Sequence, residues 1–242
     1  MQRFFFSGES ITDSLFSVDG EKYNHIIRSL RMTVGEKAIF SDGDYYDYEC
    51  EIIEITSDMA IFRVLDKYKN RTESDIKITV FQCLPKGDKL DDLTKRCVQF
   101  GAYEIIPVLS KRCVSRPDTK SAGKKIERLN KIALSSAMQS MRGYIPTVQP
   151  MIDFKTAILK MKEYSSSYIC YEDEHDNIIS KNDIIGDNIA FLIGPEGGLD
   201  KDEVDFAVSN GIKCISLGRR ILRTEDAAPF FIPILLSLTD NL

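Results

Sequence analysis

The stretch AFLIGPEGGLDKDEV, residues 190–204, constrains the fold more than any other part of the sequence. An apolar run typical of a buried strand stops at a turn with three glycines within residues 194–198. A helix is predicted to follow, because Asp200 and Glu203 have capping-box spacing and Gly211 is a typical helix end. Glycines permit positive φ and close approach to the backbone, so the turn is either a tight connection or a ligand-binding loop. It matches neither the phosphate-binding P-loop nor the Gly-x-Gly-x-x-Gly dinucleotide turn.

A second loop of the same kind lies in KCISLGRRILRTEDAA, residues 213–228. A short strand is predicted before Gly218, and a helix is predicted from about Thr224. Loops at the carboxyl ends of two successive strands predict a ligand pocket at the edge of an α/β sheet. Backbone amides and apolar side chains are predicted to form the walls of this pocket, which favours a neutral heterocycle with a short charged tail over a triphosphate. The apolar wall residues are Ile193, Leu217, Ile221 and Leu222.

The hydrophobic periodicity changes near residue 72, which predicts two domains. Residues 1–72 contain short apolar runs separated by turn residues, as in a small β domain. Residues 73–242 alternate strand and helix patterns, which predicts a mostly parallel α/β sheet. The elements predicted there include a strand over 76–84, a helix over 88–102 that ends at Gly101, a strand over 103–109 and a basic helix at about 122–142.

Positive charge is concentrated in the middle of an acidic chain. The net charge is −5, yet residues 76–150 carry 14 basic and 6 acidic side chains. This segregation favours a polyanion-binding face over a merely solvated helix surface. In the β domain, residues 23–32 predict a helical turn on which Arg28 and Arg31 point the same way.

Other features of the composition exclude several classes of protein. The six cysteines contain no Cys-x-x-Cys pair and the two histidines lie far apart, so we expect buried free thiols and no metal site. No apolar run approaches the roughly 20 residues that span a bilayer, and the amino terminus lacks the pattern of a secretory signal. A cytoplasmic protein is therefore expected.

The two loops carry a resemblance to a known family. IGPEGG followed by SLGRRILRTE resembles the RsmE family, the 16S ribosomal RNA uridine-N3 methyltransferases of the SPOUT class. MQRFFF, HIIRSLRMTVGE, CLPKGDKLDDLTKRC, IIPVLSKRC and AMQSMRGYIP follow the family's order through most of the chain. The resemblance implies a PUA-like β-barrel over 1–72, a SPOUT methyltransferase domain with a carboxyl-terminal trefoil knot over 73–242, and a homodimer. The rule that chains do not thread their own loops would by itself predict an unknotted sheet.

The resemblance also implies a cofactor and a substrate. The cofactor is S-adenosylmethionine, held by the two loops, and the substrate is a uridine near the 3′ end of 16S ribosomal RNA in the assembled small subunit. Glu196 either contacts the cofactor or stabilises the helix that follows. The implied cofactor-binding residues are Ile193, Gly194, Glu196, Gly197, Gly198, Leu217, Gly218, Ile221 and Leu222.

Two residues of the second loop are candidates for catalysis. Arg223 suits stabilisation of a developing uridine anion, and its alternative role is an ion pair with Glu225 or Asp226. Glu225 suits acceptance of the N3 proton, and its alternative role is to stabilise the helix start. Proton removal need not require a dedicated residue.

The candidate RNA-binding residues lie in the matching motifs. Basic side chains there suit phosphate contacts, and Gln139 either reads a base edge or is merely solvated. Lys124, Lys125, Arg128 and Lys131 are expected to add attraction that weakens with salt. The candidates are Arg28, Arg31, Lys86, Arg112, Gln139 and Arg142.

The sequence departs from the family pattern twice, and two other functions remain open. Asp226 stands where the family has threonine, and Gln99-Phe100 replaces Glu-Leu in the first helix of the catalytic domain. The alternatives are a SPOUT methyltransferase acting on another ribosomal site or on transfer RNA, and a non-catalytic RNA-binding or ribosome assembly protein. Phosphate contacts carry no sequence information, so they do not identify the RNA.

Overall fold

The computed structural model describes all residues, Met1–Leu242, and the chain divides into two compact units. Unit 1 comprises Met1–Glu73 together with Met138–Tyr144, and unit 2 comprises Ser74–Ala137 and Ile145–Leu242. Residues 138–144 therefore pack with unit 1, a long-range association that no local sequence pattern indicated.

Unit 1 is built on a five-stranded sheet with the order β1-β3-β4-β5-β2. Strands β1 and β3 are parallel, and the other neighbours are antiparallel. Strand β2 alternates exposed and buried residues, as expected for a strand with one face on a core. The strands are β1 (Gln2–Phe5), β2 (Leu15–Asp19), β3 (Lys37–Ser41), β4 (Tyr46–Ile55) and β5 (Met59–Lys69).

The core of unit 1 is aromatic. The rings of Phe16 and Phe62 stack with centroids 5.3 Å apart, and Phe40 meets Phe62 edge-on at 4.9 Å. All three side chains are buried, so they account for much of the apolar surface that holds the sheet in one conformation.

The helical turn predicted over residues 23–32 is shorter and wider than expected. A single turn, α1 (Gly20–Tyr23), continues into a π-helix over Asn24–Ser29. Arg31 lies beyond the helix end with φ of 58°. The expectation that Arg28 and Arg31 are helical neighbours was therefore wrong, because π-helical winding and the early stop remove the three-residue repeat.

Unit 2 contains a seven-stranded parallel sheet with the order β12-β10-β11-β6-β7-β8, and β9 also pairs with β7. Strands β6 and β11 are buried along almost their whole length, as expected for strands covered on both faces. The strands are β6 (Lys77–Cys83), β7 (Glu104–Leu109), β8 (Thr147–Val148), β9 (Ile152–Asp153), β10 (Ser166–Cys170), β11 (Asn188–Ile193) and β12 (Lys213–Ile215).

Five α-helices and one 3₁₀ turn, Lys181–Asp183, accompany this sheet. The predicted capping box is confirmed, because Asp200 and Glu203 bond reciprocally at the start of α5. The basic helix begins and ends earlier than the predicted 122–142, and Met141 has φ of 61° just after it. The helices are α2 (Lys89–Gln99), α3 (Thr119–Gln139), α4 (Phe154–Met161), α5 (Lys201–Ser209) and α6 (Thr224–Leu238).

Two further observations concern the whole chain. None of its helices combines the length and the apolar character needed to cross a membrane. All six cysteines are free thiols; five are buried, as predicted, and Cys214 is half-buried.

Candidate functional site

A cavity of about 590 Å³ lies in unit 2 at the carboxyl ends of three adjacent strands. Strand β10 lies between β11 and β12, and Cys170 pairs with Ile193 on one side and Ile215 on the other. The segments that leave these strands therefore meet at one edge of the sheet. We call residues 194–198 the GPEGG loop and residues 218–223 the arginine loop. All nine predicted cofactor-binding residues and both predicted catalytic residues line the cavity, as do Lys89, Tyr171, Glu172 and Arg220.

Gly198 is the position in the GPEGG loop where a side chain is excluded most strongly. Its φ is 67°, which L-residues adopt rarely. A Cβ on Gly198 would lie 1.6 Å from Oε1 of Glu172. Gly197, by contrast, has an ordinary φ, and its nearest neighbour to an added Cβ is Arg112 at 3.7 Å. The glycine at 198 thus admits the Glu172 carboxylate into the cavity wall.

A buried hydroxyl joins the GPEGG loop to helix α6. Thr224 Oγ1 donates to the carbonyl oxygen of Gly194 at 2.6 Å. It also accepts a 2.9 Å hydrogen bond from Nε2 of Gln82, the residue before the end of β6. Sequence reasoning missed both side chains, although a glutamine inside an otherwise apolar strand was a usable signal. Both are buried, so the three segments are fixed to one another.

A charged network joins the same segments at the cavity surface. Lys89 Nζ, at the start of α2, lies 3.1 Å from Oε1 of Glu196 and 3.2 Å from Oε2 of Glu225. Glu196 Oε1 also accepts a 3.0 Å hydrogen bond from the backbone N–H of Lys86. Glu196 is thus bound to the segment before α2, whereas Asp200 caps α5. Lys89 was not among the predicted site residues.

The network shifts the pKa of two of its members, Glu196 and Lys89. Partial burial raises the pKa of Glu196, but hydrogen bonds from the backbone N–H groups of Glu196 and Lys86 and from Lys89 outweigh it, so the pKa lies below the ordinary 4.5. Hydrogen bonds to Glu196 and Glu225 raise the pKa of Lys89. Glu196 and Lys89 are therefore both charged at neutral pH.

Arg223 has no ion-pair partner in this structure. It directly precedes α6, is exposed and lines the cavity. Its alternative role, a salt bridge with Glu225 or Asp226, is not observed, because Glu225 pairs with Lys89 and Asp226 pairs with Arg96 at 2.7 Å. The Asp226 carboxylate thus binds an arginine of α2, and the Arg223 guanidinium is available to a ligand.

The apolar side chains that line the cavity differ in their exposure. Ile193 is buried at the end of β11, and Leu222 is half-buried. Ile221 lines the cavity but is 77% exposed. An exposed isoleucine at a cavity edge is a surface that a bound planar group would cover.

The remaining basic candidates differ in what they contact. Arg28 and Arg31, in unit 1, and Lys86, in unit 2, have exposed side chains. Arg112 donates to the carbonyl oxygen of Gly197 at 3.0 Å and lies 3.4 Å from Asp200, so it also supports the GPEGG loop. The exposed candidates remain predictions for phosphate contact.

The structure corrects one candidate and locates another. Arg142 is 5% exposed and forms two hydrogen bonds with the carboxylate of Glu73, at 3.0 and 2.6 Å. The expectation of a phosphate contact at Arg142 was wrong, because this guanidinium is already buried against a carboxylate inside unit 1. Gln139 is exposed at the last position of α3, and its role stays a prediction.

Comparisons with known proteins agree with this geometry. Residues 72–236 match the family model of an RNA methyltransferase domain, and residues 18–65 match that of an RNA methyltransferase PUA domain. The predicted pairing of these two domain types is confirmed, whereas the trefoil knot stays a prediction.

Two curated relatives and one solved structure share a name. Ribosomal RNA small subunit methyltransferase E of Bacillus subtilis is 33% identical, with 94% of this chain and 93% of that protein covered. The Mesomycoplasma hyopneumoniae protein of the same name is 31% identical, with 77% and 81% covered. The crystal structure of the Neisseria gonorrhoeae protein of that name, bound to S-adenosyl methionine, has a TM-score of 0.84 at 28% identity, with 98% of each chain covered. By domain content and by similarity along nearly its whole length, the chain belongs to the ribosomal RNA small subunit methyltransferase E family.

Proposed function

We propose that the protein transfers the methyl group of S-adenosylmethionine to N3 of a uridine near the 3′ end of 16S ribosomal RNA in the small ribosomal subunit. The observation that carries the proposal is the cavity at the carboxyl ends of β10, β11 and β12, which all eleven predicted cofactor-binding and catalytic residues line. We further propose that it acts in the cytoplasm as a homodimer with a trefoil knot in its second domain.

The cavity suits an adenosyl ligand. Its volume of about 590 Å³ is in the range of sites for small molecules. Gly194, Gly197 and Gly198 present backbone rather than side chains, and Ile193, Leu217, Ile221 and Leu222 offer apolar surface to a purine. When bound there, S-adenosylmethionine supplies an electrophilic methyl group.

Arg223 has the role of stabilising charge on the uridine. Attack by N3 requires loss of its proton, which places negative charge on O2 and O4 of the base. An unpaired guanidinium next to the cavity is suited to hydrogen-bond to either oxygen and to stabilise the anion as it forms.

Glu225 is suited to accept the proton from N3. Its Oε2 is held by Lys89 at 3.2 Å, which fixes the direction of the carboxylate. Its Oε1 makes no hydrogen bond and is therefore available as an acceptor, directly or through a water molecule.

The test is methyl transfer from labelled S-adenosylmethionine to small subunits that lack the modification, with free 16S RNA and transfer RNA in parallel. Label recovered as 3-methyluridine from the subunits alone would support the proposal. Label in another nucleoside or RNA would assign a different substrate. Folded protein without activity on any RNA would favour a non-catalytic assembly protein.

Variants of the arginine loop test the catalytic assignment. We expect Arg223→Ala to lower kcat roughly 100-fold, as is typical when a donor to a developing oxyanion is removed. Arg219→Ala is the matched control, because Arg219 lies in the same loop and is exposed but does not line the cavity. Equal losses of kcat in both variants would mean that Arg223 contributes only general positive charge.

A further inference from the structure

Glu172 lies in the cavity wall and has no assigned role. It is the second residue after β10, the strand between those that lead to the GPEGG loop and to Ser216–Gly218. Because Cys170 is level with Ile193 and Ile215, Glu172 emerges between the two ligand-binding segments. Its position follows directly from the register of the three parallel strands.

The carboxylate of Glu172 is unpaired, unlike the other carboxylates of the cavity. Glu196 and Glu225 both contact Lys89. Glu172 accepts no hydrogen bond and forms no ion pair, although its Oε1 lies against Gly198, where only a glycine leaves room for it. The cavity therefore presents one unpaired negative group beside the backbone of the GPEGG loop.

A ligand in the cavity changes the solvation of the Glu172 carboxylate. Glu172 is exposed, so water solvates its carboxylate when no ligand is bound. Any ligand that fills the space beside Gly198 removes part of that water, and an ionised carboxylate without a donor in such a place is strongly unfavourable. A ligand that binds well must offer a hydrogen-bond donor or a positive charge at this point.

We propose that Glu172 is a cofactor-binding residue that accepts hydrogen bonds from S-adenosylmethionine. The inference rests on the proposed function and goes beyond it by assigning the negative group of the site. Two groups of the cofactor have the required chemistry, namely the ribose hydroxyls and the α-ammonium group. A carboxylate beyond the end of a strand is a common partner of a ribose diol in α/β nucleotide sites.

Two ligands distinguish these partners. S-adenosylhomocysteine carries both donor groups, whereas 5′-methylthioadenosine has the ribose but lacks the amino acid tail. We would measure the affinity of both by isothermal titration calorimetry for wild type, Glu172→Gln and Glu172→Ala. Asp176→Asn is the matched control, because it removes one negative charge from the same segment, is exposed and has no hydrogen-bonded side chain.

We expect both Glu172 variants to bind S-adenosylhomocysteine at least about tenfold more weakly than wild type, the effect typical of a lost hydrogen bond to a charged group. Asp176→Asn should stay within about twofold. An equal loss for 5′-methylthioadenosine assigns Glu172 to the ribose, and a loss confined to S-adenosylhomocysteine assigns it to the α-ammonium group.

Unchanged affinity in Glu172→Gln and Glu172→Ala, or an equal loss in Asp176→Asn, would overturn the inference and leave the proposed function intact. If wild-type protein bound neither ligand, the cofactor assignment and this inference would both fall. Because Glu172 is exposed, the variants should fold, and circular dichroism of each one checks this.

Discussion

The hydroxyl of Thr224 donates a 2.6 Å hydrogen bond to the carbonyl oxygen of Gly194, so the first residue of α6 is bound to the first residue of the GPEGG loop. Gln82 completes the link by donating to the same hydroxyl from β6. One oxygen atom therefore connects three segments that are distant in sequence. The GPEGG loop and the end of the arginine loop are therefore fixed relative to each other by contacts within the protein, without a ligand.

We expect Thr224→Val to destabilise the protein by about 1–3 kcal/mol. Valine preserves the shape of threonine, but it leaves the Gly194 carbonyl and the Gln82 amide without this partner in a buried place. Urea denaturation measures the change. Thr224→Ser, which keeps the hydroxyl, should retain most of the stability, and equal losses in the two variants would mean that the methyl group rather than the hydrogen bond matters.

Lys89→Met tests whether the charged network positions Glu225. We expect kcat to fall by up to about 100-fold, because a misplaced catalytic group is costly even when displaced slightly. Stability should change little, since partly exposed ion pairs contribute little to it.

The controls for Lys89 are conservative replacement and a double variant. Lys89→Arg should restore most of the activity. Lys89→Met combined with Glu225→Gln should be no slower than Glu225→Gln alone if Lys89 acts through Glu225. Additive losses in methyl transfer would instead show an independent role for Lys89.

Acidification should reveal the contribution of Glu196. Because its folded pKa lies below 4.5, the ionised form stabilises the protein at neutral pH, and this stabilisation is lost as the pH falls through the folded pKa. Glu196→Gln should therefore cost at most about 1 kcal/mol at pH 7. It should also flatten the decline in unfolding free energy between about pH 5 and the folded pKa. Parallel pH curves for the two proteins would contradict this assignment.

The sequence predicted the parts of the site that local chemistry determines. Glycines at 194 and 198, the cap at Asp200 and the helix start near Thr224 each follow from the preferences of single residues or short spacings. The parallel sheet followed from alternating strand and helix patterns, so the meeting of both loops at one edge was predictable.

The partners of these residues were not predictable, because they depend on strand order. Lys89 contacts Glu225 and Gln82 contacts Thr224 only because β6 lies beside β11 in the sheet. The burial of Arg142 depends on the return of residues 138–144 to unit 1. Basic residues in a motif are ambiguous in sequence, since a phosphate and a buried glutamate suit the same guanidinium.

Arg142→Ala and Arg28→Ala should separate structural from RNA-binding arginines. Removing Arg142 leaves Glu73 as an unpaired charge that is 8% exposed, so we expect a loss of about 3–5 kcal/mol in stability. The salt dependence of RNA binding by the folded fraction should not change. Arg28 is exposed, and its removal should leave stability nearly unchanged while lowering the slope of log affinity against log salt by about one. The measurements are the affinity of both variants for small-subunit RNA at several salt concentrations, and their unfolding curves. A lower salt slope in Arg142→Ala would contradict this assignment and return Arg142 to the RNA-binding residues.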